Sequence, residues 1–344
     1  MTAKAPDPEV DAAIAAVAEG PLDEGRRRVL ADLLLERGDP RGEFLVLQFL
    51  IAARQGSGPM RQRAEELWRR HRHEWMAGLE SCLTELELEN GFPVSASIRP
   101  GLKAAQLDQL LASPMAATLQ RLDSQGDEQA LVRVASAPRF CALDTLTVRS
   151  EPTFLALAEH AVPGRLRRLR LAFVPTWPRL TQLVSASTFE GLQSVSFRLA
   201  DWAPPTRQFL RHSQEPSGST PLSPGKALEL LARRPSITEV HLSAATFGDA
   251  ALFQDVARVW PHVPFERVTC AGTFELVREA GATTLTLQNL GWRALIDLRR
   301  VVPPDVTRAR LMVKREPRAA WSVDENDPRA ALAAAWAGID VTTM

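Results

Sequence analysis

The chain has 344 residues, 45% hydrophobic and 24% charged, and its 41 basic residues balance 41 acidic ones. A chain this long predicts two compact domains, unless it builds a solenoid, which grows in one dimension and escapes the limit on core size. Zero net charge argues against a dedicated nucleic-acid binder, whose domain is normally strongly basic, and there is no run of about 18 apolar residues to span a membrane. Met1 to Gly20 carries Lys4 ahead of Asp7, Glu9, Asp11 and Glu19, the wrong charge order and too polar for a secretory signal. The expected compartment is the cytoplasm, where Cys82, Cys141 and Cys270, an odd number without paired spacing, stay reduced.

Asp7-Pro8 predicts the start of a first helix, a capping carboxylate followed by a proline at a position that needs no N–H. Gly20-Pro21 ends it. A second helix from about Leu22 is expected to turn Val29, Leu30, Leu33 and Leu34 inward and to stop at Gly38, a natural left-handed cap. Asp39-Pro40 repeats the cap-plus-proline start for a third, with Phe44, Leu45, Leu47, Gln48 and Ile51 inward. After the Gln55–Pro59 turn, Met60 to Gly78 reads as a long amphipathic helix burying Leu67, Trp68, Trp75 and Leu79.

Ala31 to Glu43, read as Ala-Asp-Leu-Leu-Leu-Glu-Arg-Gly-Asp-Pro-Arg-Gly-Glu and followed by Phe44-Leu-Val-Leu-Gln48, resembles the bacterial repeat-companion domain over roughly residues 8 to 50. The family usually has tryptophan where Leu33 stands and tyrosine where Leu30 stands, and both replacements keep a core residue. The resemblance implies an architecture, a helical module ahead of irregular leucine-rich-repeat-like segments, and no general biochemical activity. The charged motif has a structural reading: Asp39 caps, Gly38 and Gly42 permit close helix approach, and Glu36, Arg37, Arg41 and Glu43 form a local charge network. The competing functional reading is a docking epitope of Asp32, Arg37, Asp39 and Arg41.

From about Ser81 the hydrophobic period changes from 3.6 to 2. Leu83, Leu86 and Leu88, then Val94, Ala96 and Ile98, flank Asn90-Gly91 and predict a hairpin that caps one end of a parallel sheet. A Leu-x-x-Leu-x-Leu pattern then recurs, beginning at Leu143, Leu166, Leu192, Ile237 and Phe265, at steps within the leucine-rich-repeat range except for one of 45 residues, which is two periods or one plus an insert. Helices are expected between the strands, at 102–111, 128–135, 152–160, 178–185, 224–232, 247–260, 274–280 and 292–301. Further strands are expected near Leu285 and Leu311. The asparagine that usually follows such strands is absent, with Glu151, Val174, Ala200 and Ala245 in its place, so the turns must satisfy their backbone groups otherwise.

The fold class expected is therefore α/β: a helical module over residues 1–80 and, over 81–344, a degenerate leucine-rich-repeat-like solenoid with a parallel sheet and outer helices. A proline-rich insert interrupts it at 201–223, where Trp202, Phe209 and Arg211 form either a mobile insertion or a partner-ordered clamp.

Enzyme motifs fail on spacing. His71 and His73 are two apart on a helix and point to different sides, and Ala77 stands where a zinc-protease histidine would be. Gly225-Lys226 lacks the earlier glycine and the following hydroxyl of a phosphate loop, and Gly56-Ser57-Gly58 lacks the nucleophile elbow. The chain is thus expected to be a non-enzymatic scaffold or adaptor, with no cofactor or metal. Two other readings are an inhibitor or immunity protein covering a partner enzyme and a nucleic-acid-associated factor.

In each strand the residues alternating with the buried apolar ones face the open side of the sheet. They are Thr145, Thr147 and Arg149; Arg168, Arg170 and Ala172; Ser194, Ser196 and Arg198; Glu239, His241 and Ser243; Arg267, Thr269 and Ala271. Arginine among short hydroxyl residues on a rigid sheet suits bidentate pairing with carboxylates or phosphates. The expected partner-binding residues are Arg149, Arg168, Arg170 and Arg198, with Arg267, His241 and Glu239 at the margin, and the expected partner is an acidic protein segment rather than nucleic acid or membrane.

Overall fold

The computed structural model describes residues 7–76, 78–199, 223–243, 250–290, 292–313 and 328–343. The chain divides into two compact units, residues 1–167 and 168–344. The expected boundary at 80/81 falls inside the first unit, where helices give way to strands. The expected insert lies outside the described residues apart from Ser223.

In the first unit, α1 (Pro8–Glu19) is capped by the Asp7 carboxylate, which accepts from the Glu9 and Val10 N–H groups. Helix α2 (Glu24–Glu36) is capped by Asp23 in the same way. It ends at Gly38, whose φ of +63° lets the Gly38 and Asp39 N–H groups turn back to the Leu35 and Leu34 carbonyls, both at 2.9 Å. Asp39 then accepts from the Arg41 N–H at 3.0 Å, so one residue closes α2 and opens α3 (Pro40–Ala52). Gly42 permits the close approach expected of it: a Cβ there would stand 2.8 Å from the Leu34 carbonyl carbon and 2.9 Å from the Ala31 oxygen. Helices α4 (Gly58–Trp75) and α5 (Leu79–Cys82) follow. Trp68 and Trp75 pack on Phe44 with centroids 5.7 and 5.1 Å away.

Two expectations for this module are corrected. The buried stripe of α2 is Arg27, Leu30, Ala31 and Leu34, whereas Val29 is 62% exposed. Arg27 takes the interior position because its guanidinium lies 4.9 Å from the Phe92 ring centroid, and the stem of a long cation covers apolar surface as well as leucine does. The four charges of the motif also do not pair with one another. Arg37 meets Asp7 and Glu9; Glu43 holds Arg63 in a fork at 2.7 and 2.9 Å; Arg41 is buried against the Met115 sulfur, and burial pushes its guanidinium pKa down to about 10. A buried Arg41 cannot serve in an exposed docking epitope.

Strands β1 (Leu83–Glu89) and β2 (Phe92–Ile98) form the expected antiparallel hairpin. Asn90 and Gly91 both have positive φ, +51° and +81°, the pair a two-residue hairpin turn requires. β2 pairs parallel with β3 (Arg121–Asp123), and β3 with β4 (Thr145–Val148). β3 went unread in the sequence because Leu119 and Leu122 hold the first and fourth positions of the repeat but Ser124, fully buried, holds the sixth. Helices α6 (Ala104–Ala112), α7 (Glu128–Ser136) and α8 (Glu151–His160) alternate with the strands, and α7 packs on α8.

In the second unit, β5 (Arg168–Leu171), β6 (Ser194–Arg198), β7 (Glu239–Ser243) and β8 (Arg267–Cys270) pair in parallel in chain order. Direct pairing of β6 with β7 makes the 45-residue step one period plus an insert. Helices α9 (Trp177–Ser185), α10 (Pro224–Leu231) and α11 (Ala250–Val259) pack in sequence outside. The helix expected at 274–280 is instead β9 (Phe274–Glu279), antiparallel to β8 and, through a turn at Ala280 and Gly281 with φ of +49° and +80°, to β10 (Ala282–Leu290). Phe274 and Leu276 are buried and alternate with the more open Glu275 and Val277, a period of 2 that the preceding succession of helices obscured. β10, β11 (Val306–Val313) and β12 (Asp340–Thr343) again run parallel. α12 (Trp292–Leu298) and α13 (Pro328–Ala335) lie between these strands in the chain.

The core of both units is the apolar repeat itself. Its first positions, Leu119, Leu143, Leu166, Leu192, Ile237 and Phe265, and its fourth, Leu122, Leu146, Leu169, Val195, Val240 and Val268, are all buried. Each such side chain contributes about 1.5–3 kcal/mol of transfer free energy, so a single Leu169→Ala would remove a contact that no neighbour can replace. At the opposite turns of the repeat, where each helix leads into the next strand, arginines satisfy backbone carbonyls. Arg165 donates to the carbonyls of Ala135, Ala137 and Phe140 in and beyond the last turn of α7; Arg234 donates to Val184 and Ala186 at the end of α9; Arg278 donates to Trp260 and Val263 after α11; Arg139 donates to Leu111 and Ala112 at the end of α6. A cation at a helix C-terminus satisfies orphan carbonyls and opposes the negative end of the dipole. No described helix is long and apolar enough to cross a membrane.

Candidate functional site

The alternation expected for the strands is present. Leu169 and Leu171 are buried while Arg168 and Arg170 between them are exposed, and in β4 Leu146 and Val148 are buried while Thr145 and Thr147 are half-buried. Parallel register aligns the alternate positions of the second unit into rows: Arg168, Ser194, Glu239 and Arg267 in one, where Ser194 is buried instead of open; Arg170, Ser196, His241 and Thr269 in the next.

In the first unit the open face neutralises itself. Arg149 holds Asp123 of the neighbouring strand in a fork, Nε to Oδ1 at 2.7 Å and Nη2 to Oδ2 at 2.8 Å, and this hydrogen-bonded carboxylate raises the Arg149 pKa. Arg121 pairs with Glu87 at 2.9 Å, and Ser97 donates to Glu85 at 2.7 Å. Asp123 could not be read from the sequence as a partner because its strand was not recognised.

In the second unit three of the expected residues form one network with each other. Arg267 lies 3.7 Å from Glu239 and 3.4 Å from Glu275; His241 Nε2 is 3.6 Å from Glu239; His241 Nδ1 is 2.7 Å from the Thr269 hydroxyl. Glu275 was hidden by the helix expectation at 274–280. Its register opposite Thr269 in the antiparallel pair brings it to Arg267. Arg170 and Arg198 stand apart from this network. Both are exposed, and among the described residues neither makes an ion pair or a side-chain hydrogen bond. They lie on adjacent strands of the same face, with Ser196 opposite Arg170 and Ser243 opposite Arg198.

Two sites rejected on spacing have other partners in the fold. His71 stacks on Trp75 at 5.4 Å, whereas His73 meets Glu80 at 2.7 Å, so the two imidazoles are committed separately. The Gly225 N–H at the start of α10 donates to the Asp255 carboxylate at 2.7 Å, which occupies the place an anion would take. Among the described residues, no three His, Cys, Asp or Glu side chains are placed to hold a metal ion. No family model matches this chain, and no curated protein matches it in sequence.

Proposed function

We propose that the chain is a non-enzymatic interaction module and that the open sheet face of the second unit receives an acidic segment of a protein partner. The repeat-like α/β architecture suits protein–protein contact in general, and the resemblance of residues 8–50 to repeat-companion domains supports a module of that kind ahead of the repeats. One observation carries the choice of face: Arg170 and Arg198 are exposed on a rigid sheet with no carboxylate among the described residues to spend them on. Among the described residues, Arg267 and His241 of this face pair internally with Glu239 and Glu275. An arginine held by its strand and left unpaired keeps its donors for a carboxylate supplied from outside. The carboxylates of Glu239 and Glu275, farther along the same face, disfavour a polyphosphate chain that would extend across the strands.

The test is fluorescence anisotropy with a labelled oligo-glutamate peptide and, in parallel, a single-stranded oligonucleotide of the same charge. The peptide is expected to bind, and the Arg170→Glu/Arg198→Glu chain to bind it at least ~10-fold more weakly with its circular dichroism unchanged. Equal binding by the doubly reversed chain, or tighter binding of the oligonucleotide, would overturn the reading.

A further inference from the structure

We infer that the acidic segment is supplied by a second copy of this chain, whose α2 ridge of Val29, Asp32 and Glu36 docks on Arg170 and Arg198. The inference rests on the reading of the Arg170/Arg198 face given above. Its first support is the distribution of charge. The chain is neutral as a whole, yet residues 1–167 hold 24 acidic against 20 basic residues and residues 168–344 hold 17 against 21. A protein without net charge gains no protection from self-repulsion, and oppositely signed parts of separate copies attract.

The second support is which acidic residues remain available. In the helical module most are already used: Asp7 and Glu9 on Arg37, Glu24 on Arg28, Glu43 on Arg63, and Asp23 and Asp39 as helix caps. Asp11, Asp32, Glu36 and Glu65 are exposed, and among the described residues they have no ion pair and no hydrogen bond to their side chains; of these, Asp32 and Glu36 are the pair that lies one turn apart on the same helix. Because Arg27, Leu30, Ala31 and Leu34 form the buried stripe of α2, Val29, Asp32 and Glu36 fall together on the opposite, outward side, at i, i+3 and i+7.

The third support is geometric. Carboxylates at i and i+4 of a helix are about 6 Å apart. Arg170 and Arg198 sit on neighbouring strands, offset by two residues along them, which places their Cα atoms about 8 Å apart. Two long guanidinium side chains close that difference, so one helix ridge can engage both cations at once. The apolar residue of the ridge also has a counterpart. Val29 is 62% exposed, and beyond Arg170 the chain continues through exposed Ala172 to Val174, itself 41% exposed.

Sedimentation velocity of the full chain in low salt, from about 5 to 200 µM, tests this, since two ion pairs and a small apolar contact imply a dissociation constant on the order of 10–100 µM. The weight-average sedimentation coefficient should rise with concentration and fall back to the monomer value in about 0.5 M NaCl. Asp32→Arg/Glu36→Arg and Arg170→Glu/Arg198→Glu chains should each remain monomeric alone and associate when mixed, because each then presents what the other lacks. A wild-type chain that stays monomeric over the range, or association that neither reversal alters, would overturn the inference. The oligo-glutamate titration separates the two levels. A monomeric chain that still binds the peptide through Arg170 and Arg198 removes only the second copy as occupant, whereas loss of both removes the face as well.

Discussion

Gly91 and Leu45 leave no room between them for a side chain. A Cβ on Gly91 would overlap the Leu45 Cδ2 methyl and stand 3.1 Å from the Phe44 ring, and Gly91 already holds φ at +81°. The hairpin turn of β1 and β2 is therefore seated on α3, while Arg27 of α2 covers Phe92, the residue that follows the turn. Helical module and hairpin share one core.

Gly91→Ala is expected to cost about 3 kcal/mol, combining the left-handed backbone penalty with overpacking against Leu45. Urea denaturation followed by tryptophan fluorescence reads this directly, because Trp68 and Trp75 lie on Phe44 in the same cluster. A midpoint unchanged from wild type would mean that the turn is not seated there.

Arg165 offers a second measurement. Its guanidinium serves the carbonyls of Ala135, Ala137 and Phe140, and burial lowers its pKa without a carboxylate partner to compensate. Arg165→Met keeps the stem but leaves those carbonyls unsatisfied, at an expected cost of about 3 kcal/mol. Arg165→Lys should recover less than half of that loss, since one ammonium cannot reproduce the planar fork. Equal stability of the methionine variant and wild type in urea would show that the carbonyls are satisfied without the cation.

The thiols should separate by reactivity. Cys141 is exposed, with its sulfur 3.1 Å from the Ala18 carbonyl; Cys82 is fully buried; burial pushes the Cys270 thiol up to about 11. Only a thiolate attacks a disulfide reagent, so at pH 8 one group per native chain, Cys141, should react rapidly with Ellman's reagent, and all three after denaturation. Raising the pH from 7 to 9 should leave Cys270 almost silent, because a folded pKa near 11 keeps it protonated throughout. Rapid loss of more than one thiol from the native chain would contradict this burial.

Local chemistry alone was enough to read the helix starts at Asp7-Pro8 and Asp39-Pro40, the stop at Gly38, the Asn90-Gly91 hairpin and the apolar positions of most repeats. Caps, turns and period-2 burial depend on residues within a few positions of one another, and those are adjacent in the sequence. Tertiary structure decided everything that depended on which distant surface came alongside. Val29 faces outward because Arg27 found Phe92. Strand β3 exists although Ser124 breaks its pattern, since β2 and β4 supply its hydrogen bonds on both sides. The segment 274–279 is a strand because it pairs with β8 and β10, a choice its own six residues could not make. The arginines that close the turns share no fixed place in the repeat: Arg139 lies four residues before a first position, Arg165 one and Arg234 three. A long flexible side chain reaches the same carbonyls from several points along the chain, so only the folded structure shows which cations are spent on the backbone and which, such as Arg170 and Arg198, have no ion pair among the described residues.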